Sequence, residues 1–253
     1  MLRAAWLRLI ARVWNDNGKT NLLERLLADS QKDVRGVLPY LESTFHFVFP
    51  FPRVKLEVIN ANNPRWQPVG TRGWFGFADE FEVALPRKPD KTEHEAELLA
   101  EYMQMCPTML GHGMLGIEAP DEFGAFGLTT GRVIALAWSD RAFHDQLFAA
   151  DDARQLVQDA MDVVVPWNFK LKFREYEVKH LPDPIPMPAS ASGPIAAAVM
   201  VLDQFLSSYH FDFSHLPFTV IRLNMPDQPA GDQRAIALAA YNDTGAQYPF
   251  TCG

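Results

Sequence analysis

Apolar positions recur along this chain with two different periods. Leu22, Leu23, Leu26 and Leu27 repeat at the three-and-four spacing of one helix face, and Phe143, Leu147 and Phe148 do so again later. Downstream of each helix the period changes to two. Val54, Leu56 and Val58 alternate with Lys55 and Glu57, and Phe169, Leu171 and Phe173 alternate with Lys170, Lys172 and Arg174. Successive strand side chains point to opposite faces, so this alternation predicts two strands with one buried face each. Glu80–Leu85 predicts a further strand, and Phe218–Leu223 and Arg234–Tyr241 read as two more. Thr92–Met105 is amphipathic and charged. It predicts a helix opened by the capping box Thr92-x-x-Glu95. Ile195–Tyr209 predicts a more apolar, buried helix.

The two helix-then-strand passages share more than their periods. Leu9-Ile-Ala-Arg-Val-Trp14-Asn-Asp16 and Val133-Ile-Ala-Leu-Ala-Trp138-Ser-Asp140 both place a tryptophan two positions before an aspartate. Each is followed by a leucine- or phenylalanine-rich helix, then by Ala-Asp at Asp29 or Asp151, a proline (Pro52 or Pro166), the alternating strand and a proline-rich exit. One such match is ordinary material, but the whole order occurring twice indicates duplication. Asn15 and Ser139 are the expected helix N-caps, with Asp29 and Asp151 capping the short helices that follow. Trp14 and Trp138 are expected to anchor helix to sheet. Trp14, Asp16, Asp29, Trp138, Asp140 and Asp151 are thus the structural anchors of the repeat. The glycine-rich stretch Gly111–Gly131 reads as a loop between modules, giving expected domains of 1–130 and 131–253. The fold class is α+β, built from two related helix-then-strand modules and open to packing as a pseudo-dimer.

Composition narrows the function classes. Hydrophobic residues form 48% of the chain and charged residues 21%, enough apolar material for a sizeable core. The formal net charge of −8 argues against nucleic-acid binding, which needs clustered Lys and Arg. No apolar run reaches the length of a membrane span, and Arg3, Arg8 and Arg12 interrupt the amino-terminal stretch, so the expected location is the cytoplasm. The two cysteines, Cys106 and Cys252, fit no zinc spacing. The histidines His46, His94, His112, His144 and His180 show no ligand spacing either. His210, Asp212 and Ser214 would share one strand face, more in the manner of a polar edge than of a metal pair. No metal and no cofactor is therefore expected. Gly111-His-Gly113-Met-Leu-Gly116 matches a dinucleotide pattern but lacks the preceding strand, so it reads as a turn. Asp79, Glu80 and Glu82 read as a solvated edge rather than an acid/base pair.

Trp138-Ser-Asp-Arg-Ala-Phe143, Leu147-Phe-Ala-Ala-Asp151, Pro166 with its alternating strand, and Leu181-Pro-Asp-Pro184 resemble the α-chain of nitrile hydratase and thiocyanate hydrolase. They resemble more closely the leader peptides derived from that fold, the nitrile hydratase-like leader peptides of the two-chain TOMM (thiazole/oxazole-modified microcin) precursors. The likeness covers about 135–188 best and 5–90 more loosely. It implies a non-catalytic precursor or scaffold in a ribosomally made, post-translationally modified peptide (bacteriocin-like) pathway, recognised by a cyclodehydratase-type tailoring enzyme, and it leaves oligomer formation open. Thr251, Cys252 and Cys106 are then the candidates for modification. The hydratases hold their metal in a Cys-x-x-Cys-Ser-Cys claw. Cys106 supplies one thiolate, and Pro107 removes a backbone nitrogen, so the claw is missing. The alternative, a divergent nitrile hydratase- or thiocyanate hydrolase-like metal-dependent enzyme or pseudoenzyme, ranks second for that reason.

Overall fold

The computed structural model describes residues 2–16, 18–47, 49, 54–68, 73–105, 121–165, 169–181, 210–213 and 219–243. Three helices open the chain: α1 (Leu2–Asp16), α2 (Leu22–Lys32) and α3 (Leu38–Phe45). They lead into β1 (Val54–Ile59), a short hairpin of β2 (Arg65–Gln67) and β3 (Gly73–Phe75), and β4 (Glu80–Pro86). A 3-10 turn at Thr92–His94 runs into α4 (Glu95–Met105). Three further helices follow: α5 (Asp121–Ser139), α6 (Arg141–Ala149) and α7 (Arg154–Met161). After them come β5 (Lys170–Tyr176), the two-residue strands β6 (Lys179–His180) and β7 (Phe211–Asp212), and β8 (Thr219–Asn224). A 3-10 turn at Gly231–Gln233 then opens α8 (Arg234–Asp243). The architecture is α+β.

The main sheet has the order β1-β8-β4-β5. β1 runs parallel to β8, β4 runs parallel to β5, and the central pair β4 and β8 is antiparallel. Each outer strand therefore pairs with a strand far from it in sequence. Leu56 sits opposite Ile221, Ile221 opposite Phe81, and Phe81 opposite Leu171, so one apolar row crosses all four strands. Those four side chains are 0 or 1% exposed. The alternation read from the sequence puts Lys55, Glu57, Arg222, Glu80, Glu82, Lys170, Lys172 and Arg174 on the opposite face. α2 lies against β1 and α6 against β5.

The outer edge of each edge strand is closed by the loop before it. Leu56 donates to the Arg35 carbonyl and accepts from Val37 N–H, at 3.1 and 2.8 Å. Leu171 accepts from Ala153 N–H at 2.7 Å and donates to the Asp152 carboxylate at 3.2 Å. Gly36 holds φ 65°, and a Cβ there would run into the Leu56 carbonyl. Only glycine fits that approach. Ser30 in α2 is fully buried. Its hydroxyl donates to the Leu26 carbonyl and accepts from Val58 N–H, both at 2.8 Å, which satisfies a further edge group of β1.

Several local expectations need correction. Asn15 and Ser139 do not cap helices: Asn15 lies within α1, and Ser139 ends α5 with its hydroxyl returned to the Ala135 carbonyl. Asp29 is inside α2 rather than before a helix. Asp151 pairs with Lys170 and Lys172, and its neighbour Asp152 is the residue that accepts the Arg154 N–H at the start of α7. Thr92 lies in the 3-10 turn, and Glu95 pairs with Lys88 at 3.2 Å instead of closing a capping box. Arg234–Tyr241 is helix α8, not a strand. Ala237 and Tyr241, four apart, are both buried while Ile236 is exposed, which is a helical period. α5 begins at Asp121, so the carboxyl-terminal part of the glycine-rich stretch is helical. Ile195–Tyr209, Gly111–Gly116, Pro52 and Pro166 lie outside the described residues.

Candidate functional site

The two Trp-x-Asp motifs sit at matching joints. Trp14 is 3% exposed at the end of α1, and its indole N–H donates to the Pro226 carbonyl just past β8 at 3.0 Å. Trp138, at the end of α5, donates to the Pro86 carbonyl at the end of β4, also at 3.0 Å. Each tryptophan thus ties a helix end to a strand exit in the other half of the chain. Asp140 then caps α6, accepting the N–H groups of Ala142 and Phe143 at 2.8 and 3.1 Å. Asp16 accepts the Thr20 and Leu22 N–H groups across the longer turn between α1 and α2, both at 3.1 Å. Gly18 supplies the positive φ of that turn. The Thr20 hydroxyl bond and the Leu22 N–H bond hold the Asp16 carboxyl below its ordinary pKa. The aspartate of each motif, not the residue between it and the tryptophan, accepts free N–H groups at the start of the next helix.

A groove of about 440 Å³ opens beside the first motif. Trp14, Asp16, Asn21, Asn63, Pro226 and Asp227 are among the residues of its wall. Trp14 is itself stacked on Trp74, with ring centres 5.9 Å apart. Asp16 and Asp227 bring carboxylates to the groove.

The polar face of the sheet is an ion-pair network rather than a solvated edge. Arg222 donates to Glu57 at 2.8 Å, Glu80 at 3.3 Å and Glu82 at 3.0 Å. Lys55 pairs with Glu57 at 2.7 Å, Lys172 with Glu80 at 2.7 Å and Arg174 with Glu82 at 3.4 Å. Burial opposes the Arg222 charge, and the Glu82 and Glu57 carboxylates more than offset it, raising its pKa. Lys170 and Lys172 hold Asp151 down to about 2. Asp79 is also no edge residue. It is 3% exposed, accepts Asn224 N–H at 2.7 Å, and its other carboxyl oxygen has no partner. Burial pushes its pKa up to about 7 against those bonds from Asn224.

The third cluster was not legible from spacing. His94, Glu97 and Glu101 follow one another along one side of the 3-10 turn and α4. The β6–β7 pair sets His180 opposite Phe211 and so brings His210 alongside. His94 and His180 have ring centres 4.2 Å apart, and His180 and His210 stack at 6.5 Å. His210 Nδ1 lies 3.1 Å from Glu97 and 3.4 Å from Glu101. Glu101 is 8% exposed, and its two oxygens accept the N–H groups of His210 and Phe211. Asp212 stands in β7, whereas Ser214, Cys106, Thr251 and Cys252 lie outside the described residues.

Fold and sites together define an α+β protein whose polar side chains are gathered into a half-buried ion network, an acidic-rimmed groove and a histidine–carboxylate cluster. Residues 1–110, from α1 through α4, match the family described as "Ribosomal natural product, two-chain TOMM family", the family the sequence resembles. The match falls on the first helix-then-strand passage, where the likeness was looser, and leaves 135–188 outside it. No curated protein and no solved structure gave a match. Among the described residues no helix is long and apolar enough to cross a membrane. The match over those residues likens this part of the chain to ribosomal natural products of that family.

Proposed function

We propose that this chain is a non-catalytic precursor or scaffold of a modified-peptide pathway in the cytoplasm, and that its modules are what a cyclodehydratase-type tailoring enzyme recognises. The family match over residues 1–110 carries the proposal. The groove beside Trp14 and Asp16 supports recognition through the matched part of the chain, because four of its six wall residues named above lie within 1–110. In this reading residues 1–130 and 131–253 are duplicated modules of nitrile hydratase α-like type, packed as a pseudo-dimer by exchange of strands. The reciprocal Trp14–Pro226 and Trp138–Pro86 hydrogen bonds support it, as do the matching edge closures at Leu56 and Leu171.

Modification would occur at Cys252, Thr251 or Cys106. In each ring the side-chain sulfur or oxygen adds to the carbonyl carbon of the preceding residue, and that carbonyl oxygen leaves as water. Co-expression of the full chain with a cyclodehydratase-type enzyme, followed by digestion and mass spectrometry, tests this. A carboxyl-terminal or Cys106 peptide lighter by one water per ring supports a precursor. Binding with unchanged mass reassigns the chain to a scaffold. The absence of both binding and a mass change overturns the proposal.

A further inference from the structure

We propose that His94, Glu97, His180 and His210 form a binding site for one divalent transition-metal ion of the zinc class, with Glu101 holding His210 in place. This inference is independent of the peptide-pathway role. It starts from donor placement. The donor atoms of His94, Glu97 and His180 all lie within 4.8 Å of one another, as do those of Glu97, Glu101 and His210, so Glu97 belongs to both sets. Tetrahedral zinc with bonds of about 2.0–2.2 Å separates its ligand atoms by roughly 3.4 Å. Glu97, shared by both sets, is the donor about which His94 and His180 on one side and His210 on the other would close on the ion.

A second observation points the same way. The Nδ1 atom of His94 is buried and has no hydrogen-bond partner. A ring nitrogen left buried and unpaired destabilises the fold, and a coordinated ion removes that penalty. The other ring nitrogen of His94 faces Glu93 at 3.4 Å, the carboxylate–histidine arrangement that orients metal-bound imidazoles. With neutral imidazoles the two carboxylates give the cluster a charge of −2, which one dication balances. Three imidazoles favour zinc, cobalt, nickel or copper over the oxygen-seeking magnesium and calcium.

The cluster is also not something the fold requires. α8 follows Met225-Pro-Asp-Gln-Pro229 as α4 follows Leu85-Pro-Arg-Lys-Pro89. At the corresponding offsets α8 carries Arg234, Ala237 and Tyr241, none of them a metal ligand here. α8 thus occupies the matching place in the chain without these donors. The bound ion would clamp the β6–β7 pair onto α4, joining residues distant in sequence.

The test uses the full chain stripped of metal by chelator and titrated calorimetrically with zinc chloride. One equivalent is expected to bind, and cobalt chloride is expected to give the visible absorption of a tetrahedral site. Replacing His180→Ala or Glu97→Gln should each weaken zinc binding by more than about tenfold. His144→Ala, whose ring is engaged by Asp145 and Glu175 elsewhere, should leave it unchanged. Histidine ring NMR signals of the wild-type chain cover the case in which a variant fails to fold: one equivalent of zinc should shift three of them. Absence of stoichiometric binding, or binding equally strong in the His180 and Glu97 variants, overturns the proposal. So does a zinc-induced shift confined to other histidines.

Discussion

Asp79→Asn should stabilise this protein at alkaline pH and lose that advantage in acid. Asp79 stands immediately before β4, where its carboxyl accepts the Asn224 N–H and has a second oxygen with no partner. Burial raises its pKa from 3.8 to about 7 in the folded protein. A group raised in this way favours the fold while it is protonated. Below its unfolded pKa both states carry the proton and the charge penalty is absent. As pH rises from about 4 to 7 the unfolded state releases the proton first, and above 7 the folded state holds a buried, half-paired carboxylate. At about 1.4 kcal/mol per tenfold change in proton affinity, the loss across that window is roughly 4 kcal/mol. Asparagine keeps the acceptor for Asn224 and cannot ionise. Its amide brings two N–H donors to the side where the second oxygen finds no partner, one more than the protonated acid leaves there, which costs about 1–3 kcal/mol. The variant should therefore be less stable than wild type near pH 4, and equal or more stable at pH 8. Urea unfolding at several pH values, with unchanged m, gives the difference directly. Other titrating groups cancel between the two proteins. A difference between variant and wild type that stays flat from pH 4 to pH 8 would refute the assignment of a raised Asp79 pKa.

Two substitutions probe the sheet from its edge and its polar face. Gly36→Ala places a side chain at φ 65° and against the Leu56 carbonyl, so it should cost at least about 2 kcal/mol and lower the midpoint of thermal unfolding followed by circular dichroism. Arg222→Met removes the cation shared by Glu57, Glu80 and Glu82 and leaves three carboxylates close together. It should cost about 3–5 kcal/mol at pH 7 in denaturant titrations, and the loss should shrink toward pH 4 as the glutamates take up protons. An equal loss at both pH values would point to packing instead of charge.

The strands with one buried face were legible in the chain because alternation is a local property. Val54–Val58 and Phe169–Arg174 could be read from period two alone, and each became an edge strand of the sheet. The Trp-x-Asp motif was also visible, but its roles were set by distant partners. Trp14 finds Pro226 and Trp138 finds Pro86, contacts that no local pattern encodes. Arg234–Tyr241 was misread because an alanine-rich run fits either period until burial picks out Ala237 and Tyr241.

The candidate sites divide in the same way. Acidic balance, the lack of a thiolate claw and the resemblance of the motifs to TOMM precursors belong to the sequence itself, and the family match over residues 1–110 rests on the same information. The strand order β1-β8-β4-β5, the burial of Asp79 and the meeting of His94, His180 and His210 belong to the tertiary structure. The physical reason is distance along the chain. Periodicity and capping are decided within a few residues, whereas charge burial and metal-type geometry depend on which remote strands the chain closure brings together.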